Sequence, residues 1–171
     1  MSRREKRGVL SLNTETPAFG CIVSPVCFSG DGTLLAASTN RSSILVADPA
    51  TGKDLLRLDG VRSRAFALAS DGKLMAWSQQ GQMRLRPTGA DGTEVRIPTT
   101  LATVLAFSPD GTLLASLDVE SVVRFWDVRA RKELASAPVE GARNRLAFSP
   151  DGARLAIATD RSITILPVPA R

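Results

Sequence analysis

The sequence contains no histidine and no tyrosine among its 171 residues. The absence of histidine excludes a Ser-His-Asp triad, a Cys-His pair and every metal site that needs histidine ligands. The two cysteines, Cys21 and Cys27, are too few for a four-thiolate zinc site or a disulfide framework. The residue types therefore predict no enzyme, no metal and no cofactor.

Long apolar runs are also missing. The longest, SITILPVP at 162–169, is far shorter than the ~20 residues that a membrane helix requires. The basic start, MSRREKRG, is followed by a segment too short and polar for a signal peptide. We therefore expect a cytoplasmic protein with no membrane partner.

Phosphate-binding and calcium-binding loops are absent as well. Gly52-Lys53 has the dipeptide of a P-loop but lacks its upstream glycine and its following Ser or Thr. A hairpin turn is the better interpretation of this segment. The recurring Asp-Gly pairs lack the alternating acidic spacing of a calcium loop.

The charge balance is basic, with a net charge of +5. Arg3, Arg4, Lys6 and Arg7 contribute to this excess, and we interpret residues 1–7 as a disordered basic tail. Aromatic residues are few, with six Phe, two Trp and no Tyr. Because single-stranded nucleic acid is bound largely by aromatic stacking, a nucleic-acid partner is disfavoured.

One phrase occurs four times in the chain. Its centre contains an Asp-Gly dipeptide, and the intervals between successive copies of that dipeptide are 40, 39 and 41 residues. A steady period of this length indicates a repeat architecture. The copies are VCFSGDGTLLAAS (26–38), FALASDGKLMAWS (66–78), LAFSPDGTLLASL (105–117) and LAFSPDGARLAIA (146–158).

Each copy predicts a hairpin of two short apolar strands joined by a tight turn, because proline, aspartate and glycine favour that turn. A third alternating segment follows in every copy, and a fourth follows in the first three. The third segments lie at 42–48, 82–88, 121–127 and 162–168, and the fourth at 55–58, 95–97 and 134–137. No segment has a helical pattern.

A four-stranded sheet of about 40 residues cannot bury both of its faces alone, whereas stacked copies bury them against one another. The sequence therefore predicts an all-β protein, a β-propeller of four four-stranded antiparallel blades. We assign residues 8–171 to one propeller domain. Its predicted blades are 22–60, 61–100, 101–141 and 142–169.

The third copy, LAFSPDGTLLASLDVESVVRFWDV, resembles a repeat of the WD-repeat propeller family, with Trp126-Asp127 as the name-giving dipeptide. The other copies depart from that pattern, since Ala47, Arg86 and Leu166 stand where Trp126 stands. The family's Gly-His dipeptide is absent throughout. The four-member Asp-His-Ser-Trp hydrogen-bond network of typical blades therefore cannot form.

The last copy lacks a fourth strand. We expect the segment GVLSLN, residues 8–13, to supply it and to join the two ends of the chain. Since the resembled family usually forms rings of about six to eight blades, three arrangements stay open. They are a closed four-blade monomer, half of an eight-blade ring formed by dimerisation, and a fragment of a longer propeller.

The resemblance implies a non-catalytic scaffold that binds a protein or peptide partner. Trp77 and Trp126 fit core positions better than partner contacts. The corners before the first and third strands of each blade should share one end of the ring, and this end carries the candidate binding residues. These are Arg41, Arg62, Arg64, Arg143, Arg145 and Arg161. An arginine-rich end suits an acidic peptide, a phosphate or a nucleic acid, and surface arginines without a specific role are the alternative.

Overall fold

The structure, a computed structural model, describes residues 26–39, 42–61, 63, 65–89 and 92–170. All of their regular structure is β-strand, as the sequence predicts. No helix in these ranges could cross a membrane. The predicted tail 1–7 and the predicted strand 8–13 lie outside the described residues.

Fifteen strands are described, and they form four antiparallel sheets in which each strand pairs with its neighbour along the chain. Blade 1 comprises β1 (Val26–Phe28), β2 (Leu35–Thr39), β3 (Ser43–Ala47) and β4 (Asp54–Asp59). Blade 2 comprises β5 (Phe66–Leu68), β6 (Leu74–Gln79), β7 (Gln82–Pro87) and β8 (Val95–Pro98). Blade 3 comprises β9 (Ala102–Phe107), β10 (Leu113–Asp118), β11 (Val122–Asp127) and β12 (Lys132–Pro138). Blade 4 comprises β13 (Ala142–Phe148), β14 (Arg154–Thr159) and β15 (Ile163–Pro167).

The turn between the first two strands of a blade follows the chemistry of its sequence. In blade 3, the Ser108 hydroxyl donates to the Asp110 carboxylate over 2.6 Å and accepts the Leu113 amide over 2.9 Å. Gly111 takes a positive φ of 70°, which glycine adopts without steric cost. Equivalent serine–aspartate pairs close the turns of blades 1 and 4. These hydrogen bonds, led by the one from Ser29, hold the pKa of Asp31 in blade 1 below its usual value.

Three apolar clusters lie between the blades and form the core. One joins blades 1 and 2, the next joins blades 2 and 3, and the last joins blades 3 and 4. Trp77 is buried in the first cluster and Trp126 in the second, so the prediction that both are core residues is confirmed. Cys27 is partly buried beside the first cluster, and desolvation raises the pKa of its thiol to about 11.

Strand register confirms which residues replace the tryptophan of the third copy. Trp126 lies opposite Leu114, and Ala47, Arg86 and Leu166 occupy the same position in the other blades. One link of the family's bracing network survives in blade 3, where the Trp126 indole N–H donates to the Ser116 hydroxyl over 2.9 Å. The links that need histidine are absent from blade 3, and the other blades lack the tryptophan as well.

Two buried serines on second strands differ in whether their hydroxyl groups are hydrogen-bonded. Ser116→Ala leaves the buried indole N–H of Trp126 without its acceptor, and we expect it to lower the free energy of unfolding by about 1–3 kcal/mol. Ser78 is also buried, but its hydroxyl has no hydrogen-bond partner within the described ranges. Ser78→Ala is therefore the control and should be neutral or stabilising. Urea denaturation measures both, and equal losses would contradict this account.

Candidate partner-binding surface

At one end of the blades, five of the corner segments lie side by side. We call residues 79–81, 99–101, 119–121, 139–141 and 160–162 the corner surface. Backbone hydrogen bonds join them in sequence, with donor and acceptor 2.8–3.2 Å apart. The linked pairs are Thr99 with Gly81, Val119 with Leu101, Val139 with Ser121 and Asp160 with Gly141. The two kinds of corner therefore do share one end of the molecule, as the sequence predicts.

A single buried carboxylate, that of Asp118, holds two of these corners together. It accepts the Thr100 hydroxyl over 2.6 Å from the corner that precedes β9. It also accepts the backbone amides of Glu120 and Val122, at 2.9 and 3.0 Å, within its own corner. The Arg124 guanidinium lies 3.5 Å away and partly balances the charge. Since only 4% of Asp118 is exposed, these buried contacts join the Thr100 side chain of one corner to the backbone of the other.

The ionisation of Asp118 reflects two opposing effects. Burial disfavours the charged form, which by itself raises the pKa of the carboxyl group. The hydrogen bonds from Thr100, Val122 and Glu120 and the charge of Arg124 outweigh burial. The pKa of Asp118 is therefore held below its usual value, and the group is a structural anion near neutral pH.

Two apolar side chains stand out on the corner surface that Asp118 fixes. Leu101 is 48% exposed and Val119 is 61% exposed. They lie on adjacent corners, because the Val119 amide donates to the Leu101 carbonyl over 3.2 Å. Each directly adjoins a residue of the hydrogen-bonded pair Thr100–Asp118. The result is an apolar pair presented to solvent by immobilised backbone.

The rim of this pair carries charge of both signs. Glu120 and Glu140 are exposed on the same corner and the next one. Arg161 is exposed at the corner of blade 4, whereas Arg143 forms an ion pair with Asp160. Both partners of that ion pair are largely exposed, so it contributes little to stability.

Three predicted site residues fall within the described ranges, and two of them need a correction. Arg161 lies at a corner, as predicted. Arg143 and Arg145 do not, because β13 already begins at Ala142 and both lie on that strand. Irregular pairing between Ala142 and Leu146 marks this stretch of strand.

The remaining predicted arginines, Arg41, Arg62 and Arg64, lie outside the described residues, so an arginine-rich end stays a prediction. Asp118 adjoins a corner but is buried, and its carboxylate accepts hydrogen bonds from the corner backbone.

Sequence reasoning missed Leu101 and Val119 as surface residues. The available signal was positional, since both fall in corners where turn residues are normally polar. The hydrogen bond from Thr100 to Asp118 joins residues 18 positions apart, and no local pattern predicts it.

An open depression of about 770 Å³ lies beside the turn of blade 2. Its charged lining residues are Glu94 and Arg131. Glu94 is already paired with Arg84 and Arg96, at 3.0 and 2.9 Å. Within the described ranges, no group of three potential ligands is arranged to hold a metal ion.

Comparison with known proteins agrees with this geometry. Residues 98–127 match the family model of the WD domain, G-beta repeat. One repeat of this chain is therefore similar to a WD repeat, and the fold is a β-propeller. The match covers the third copy, from the end of β8 to Trp126-Asp127, which is the copy that carries the resemblance in sequence.

Solved structures share the fold of this chain. One is the β-propeller domain of Cps50 (Swd1) from Myceliophteria thermophila, with a TM-score of 0.70 and 19% identity over 84% of this chain and 51% of that chain. Another is Kuenenia stuttgartiensis hydrazine synthase, with a TM-score of 0.68 and 18% identity over 83% of this chain and 45% of that chain. This chain therefore spans about half the length of the structures that it matches.

The carboxylate of Asp118 generates a pH-dependent prediction. Asp118→Asn should lower the free energy of unfolding by about 1.5–3 kcal/mol at pH 7, because charged hydrogen bonds become neutral ones. A lowered native pKa contributes stability above the unfolded value of about 3.9, and this contribution is lost as pH falls through the native pKa. The difference between wild type and variant should therefore shrink below pH 4.

Denaturant titrations at pH 7, 5, 4 and 3 measure this difference. Thr100→Ser keeps the hydroxyl donor to Asp118 and serves as the control, with a pH profile like that of the wild type. A difference between Asp118→Asn and wild type that persists undiminished at pH 3 would contradict the assignment.

Proposed function

We propose that this propeller is a non-catalytic scaffold that binds a protein segment on its corner surface, centred on Leu101 and Val119. The observation that carries the proposal is this exposed apolar pair on two corners that share one buried carboxylate. Exposed apolar residues that lie together on a folded protein favour burial by a partner.

The rigidity of the corners supports binding. Ordering a loop during association costs free energy, and a preformed surface avoids that cost. Here Asp118 accepts hydrogen bonds from both corners before any partner arrives. When an apolar side chain of a partner packs on Leu101 and Val119, little free energy is therefore needed to order these corners.

Charges around the pair indicate the chemistry of the partner. Glu120 belongs to the same corner as Val119, and Glu140 belongs to the next corner, which is bonded to it through Ser121. An apolar residue flanked by lysine or arginine would complement this rim. We therefore assign the surface to a peptide segment with a basic residue beside an aliphatic or aromatic one.

The arginines at blade 4 support a second candidate function, the binding of an acidic peptide or phosphate. Arg145 and Arg161 are exposed, and the described residues give them no ion pair. Arg143 is engaged by Asp160, so the free positive charge here is smaller than the sequence predicts.

A catalytic function has little chemistry to support it. The sequence lacks histidine and tyrosine. One structure of similar fold is an enzyme, hydrazine synthase, but a shared fold does not carry an activity with it. The chain also spans less than half of that protein's length. The proposed compartment of the scaffold is the cytoplasm.

Selection from a random peptide library on the immobilised protein tests the proposal. We expect selected peptides to combine an apolar residue with an adjacent Lys or Arg. Leu101→Ser/Val119→Ser should weaken their binding at least tenfold, because it removes the apolar contact and leaves Asp118 in place. Leu55→Ser, which changes another exposed apolar residue on β4, is the control and should bind as the wild type does.

Two results would overturn this assignment. One is selection of acidic peptides whose binding is lost in Arg143→Ala/Arg145→Ala/Arg161→Ala and retained in the Leu101 and Val119 variant, which would favour the second candidate. The other is equal binding by all variants, which would place the binding surface elsewhere. Thermal unfolding of each variant verifies that it is folded.

A further inference from the structure

The three described interfaces between blades repeat one contact. A large apolar residue of the third strand in one blade shares a cluster with an apolar residue of the first strand in the next. The shared pairs are Val46 with Leu68, Leu85 with Phe107 and Phe125 with Phe148. In the last pair the ring centroids are 6.5 Å apart in an edge-to-face arrangement. This is a favourable geometry for aromatic rings.

A second contact repeats beside the first. It joins the residue two positions earlier on the third strand to the residue two positions earlier on the first strand of the next blade. Its members share the same three clusters and are Ile44 with Phe66, Met83 with Leu105 and Val123 with Leu146. On the third-strand side, no member of either contact is more than 5% exposed.

The two ends of the described chain carry the separated halves of a fourth such interface. On β15, Ile165 pairs with Ala156 as Phe125 pairs with Ala115 in blade 3. On β1, Phe28 pairs with Leu35 as Phe148 pairs with Leu155 in blade 4. The same register places Ile163 and Val26 at the positions of the second contact.

All four of these residues are exposed, unlike their counterparts. Ile163 and Ile165 are 68% and 58% exposed, and Val26 and Phe28 are 61% and 59% exposed. Within the described residues, the two ends therefore do not cover each other. Each end exposes one half of the two repeated contacts.

We propose that a second copy of this chain supplies both missing blades, with β15 of each copy packed on β1 of the other. The two halves complement each other by residue type and position, so two copies arranged head to tail make two identical contacts. A head-to-tail contact of this kind closes into a ring when its rotation allows it. Two four-blade arcs would give one ring of eight blades.

The burial of blade 1 indicates which strand a second copy would contact. On its open face, Ala37, Leu45 and Ala47 of the middle strands are buried within one copy, and the large apolar residues left most exposed are Val26 and Phe28 on β1. In the described interfaces, the third strand of a blade meets this first strand.

Light scattering on a sizing column tests the proposal directly. We expect the wild-type chain to elute with twice its monomer mass of 18.2 kDa at micromolar concentration. Ile163→Glu/Ile165→Glu should give a folded monomer. Leu101→Glu/Val119→Glu changes exposed apolar residues away from the ends and is the matched control, which should stay dimeric. A wild-type monomer, or a mass other than two chains, overturns the proposal.

Cross-linking tests the orientation of the two copies. In a background with Cys21 and Cys27 replaced by alanine, one preparation carries Phe28→Cys and another carries Ile165→Cys. A short bis-maleimide should link the mixed preparations and leave each preparation unlinked when it is treated alone. Linkage of Ile165→Cys to itself would mean a tail-to-tail dimer and would overturn the head-to-tail contact.

Discussion

The whole structure depends on one packing constraint, which is that a single blade cannot bury both of its faces. The inner strands are too short and too apolar on both sides to stand in water, as the buried strand β5 shows. Burial is achieved only when the third strand of one blade meets the first strand of the next, as Phe125 meets Phe148. Turn chemistry sets where the strands end, but this contact sets how the blades are arranged.

The blades differ in how far their buried polar groups are hydrogen-bonded, since the Ser78 hydroxyl of blade 2 has no partner within the described residues. The absence of histidine removes a four-member network, yet Trp126 still donates to Ser116. In the same blade, Asp118 accepts hydrogen bonds from two neighbouring corners. Blade 2 instead places Arg84, Glu94 and Arg96 together as an ion-pair cluster on its outer strands. Blades with very different residues thus have the same strand order and a similar backbone conformation.

The repeat allowed the fold to be predicted from sequence nearly strand by strand, because turns and apolar runs are local features. The predicted third strand 121–127 appears as Val122–Asp127, and the predicted fourth strand 134–137 appears as Lys132–Pro138. The candidate site was harder to predict, because it depends on which corners meet. The buried carboxylate of Asp118 is hydrogen-bonded by Thr100, which comes from a neighbouring corner. Arg143 lies on β13, and this strand begins directly after the corner 139–141.

The repeated contact between third and first strands also bears on how such chains grow. Adding one more repeat at either end buries one interface and creates an identical one, so the chemistry of the ends does not change with the number of blades. Duplication of a 40-residue unit can therefore lengthen the protein without requiring a new kind of interface between blades. The number of blades is then limited by the curvature of the arc, and not by the residues at its ends.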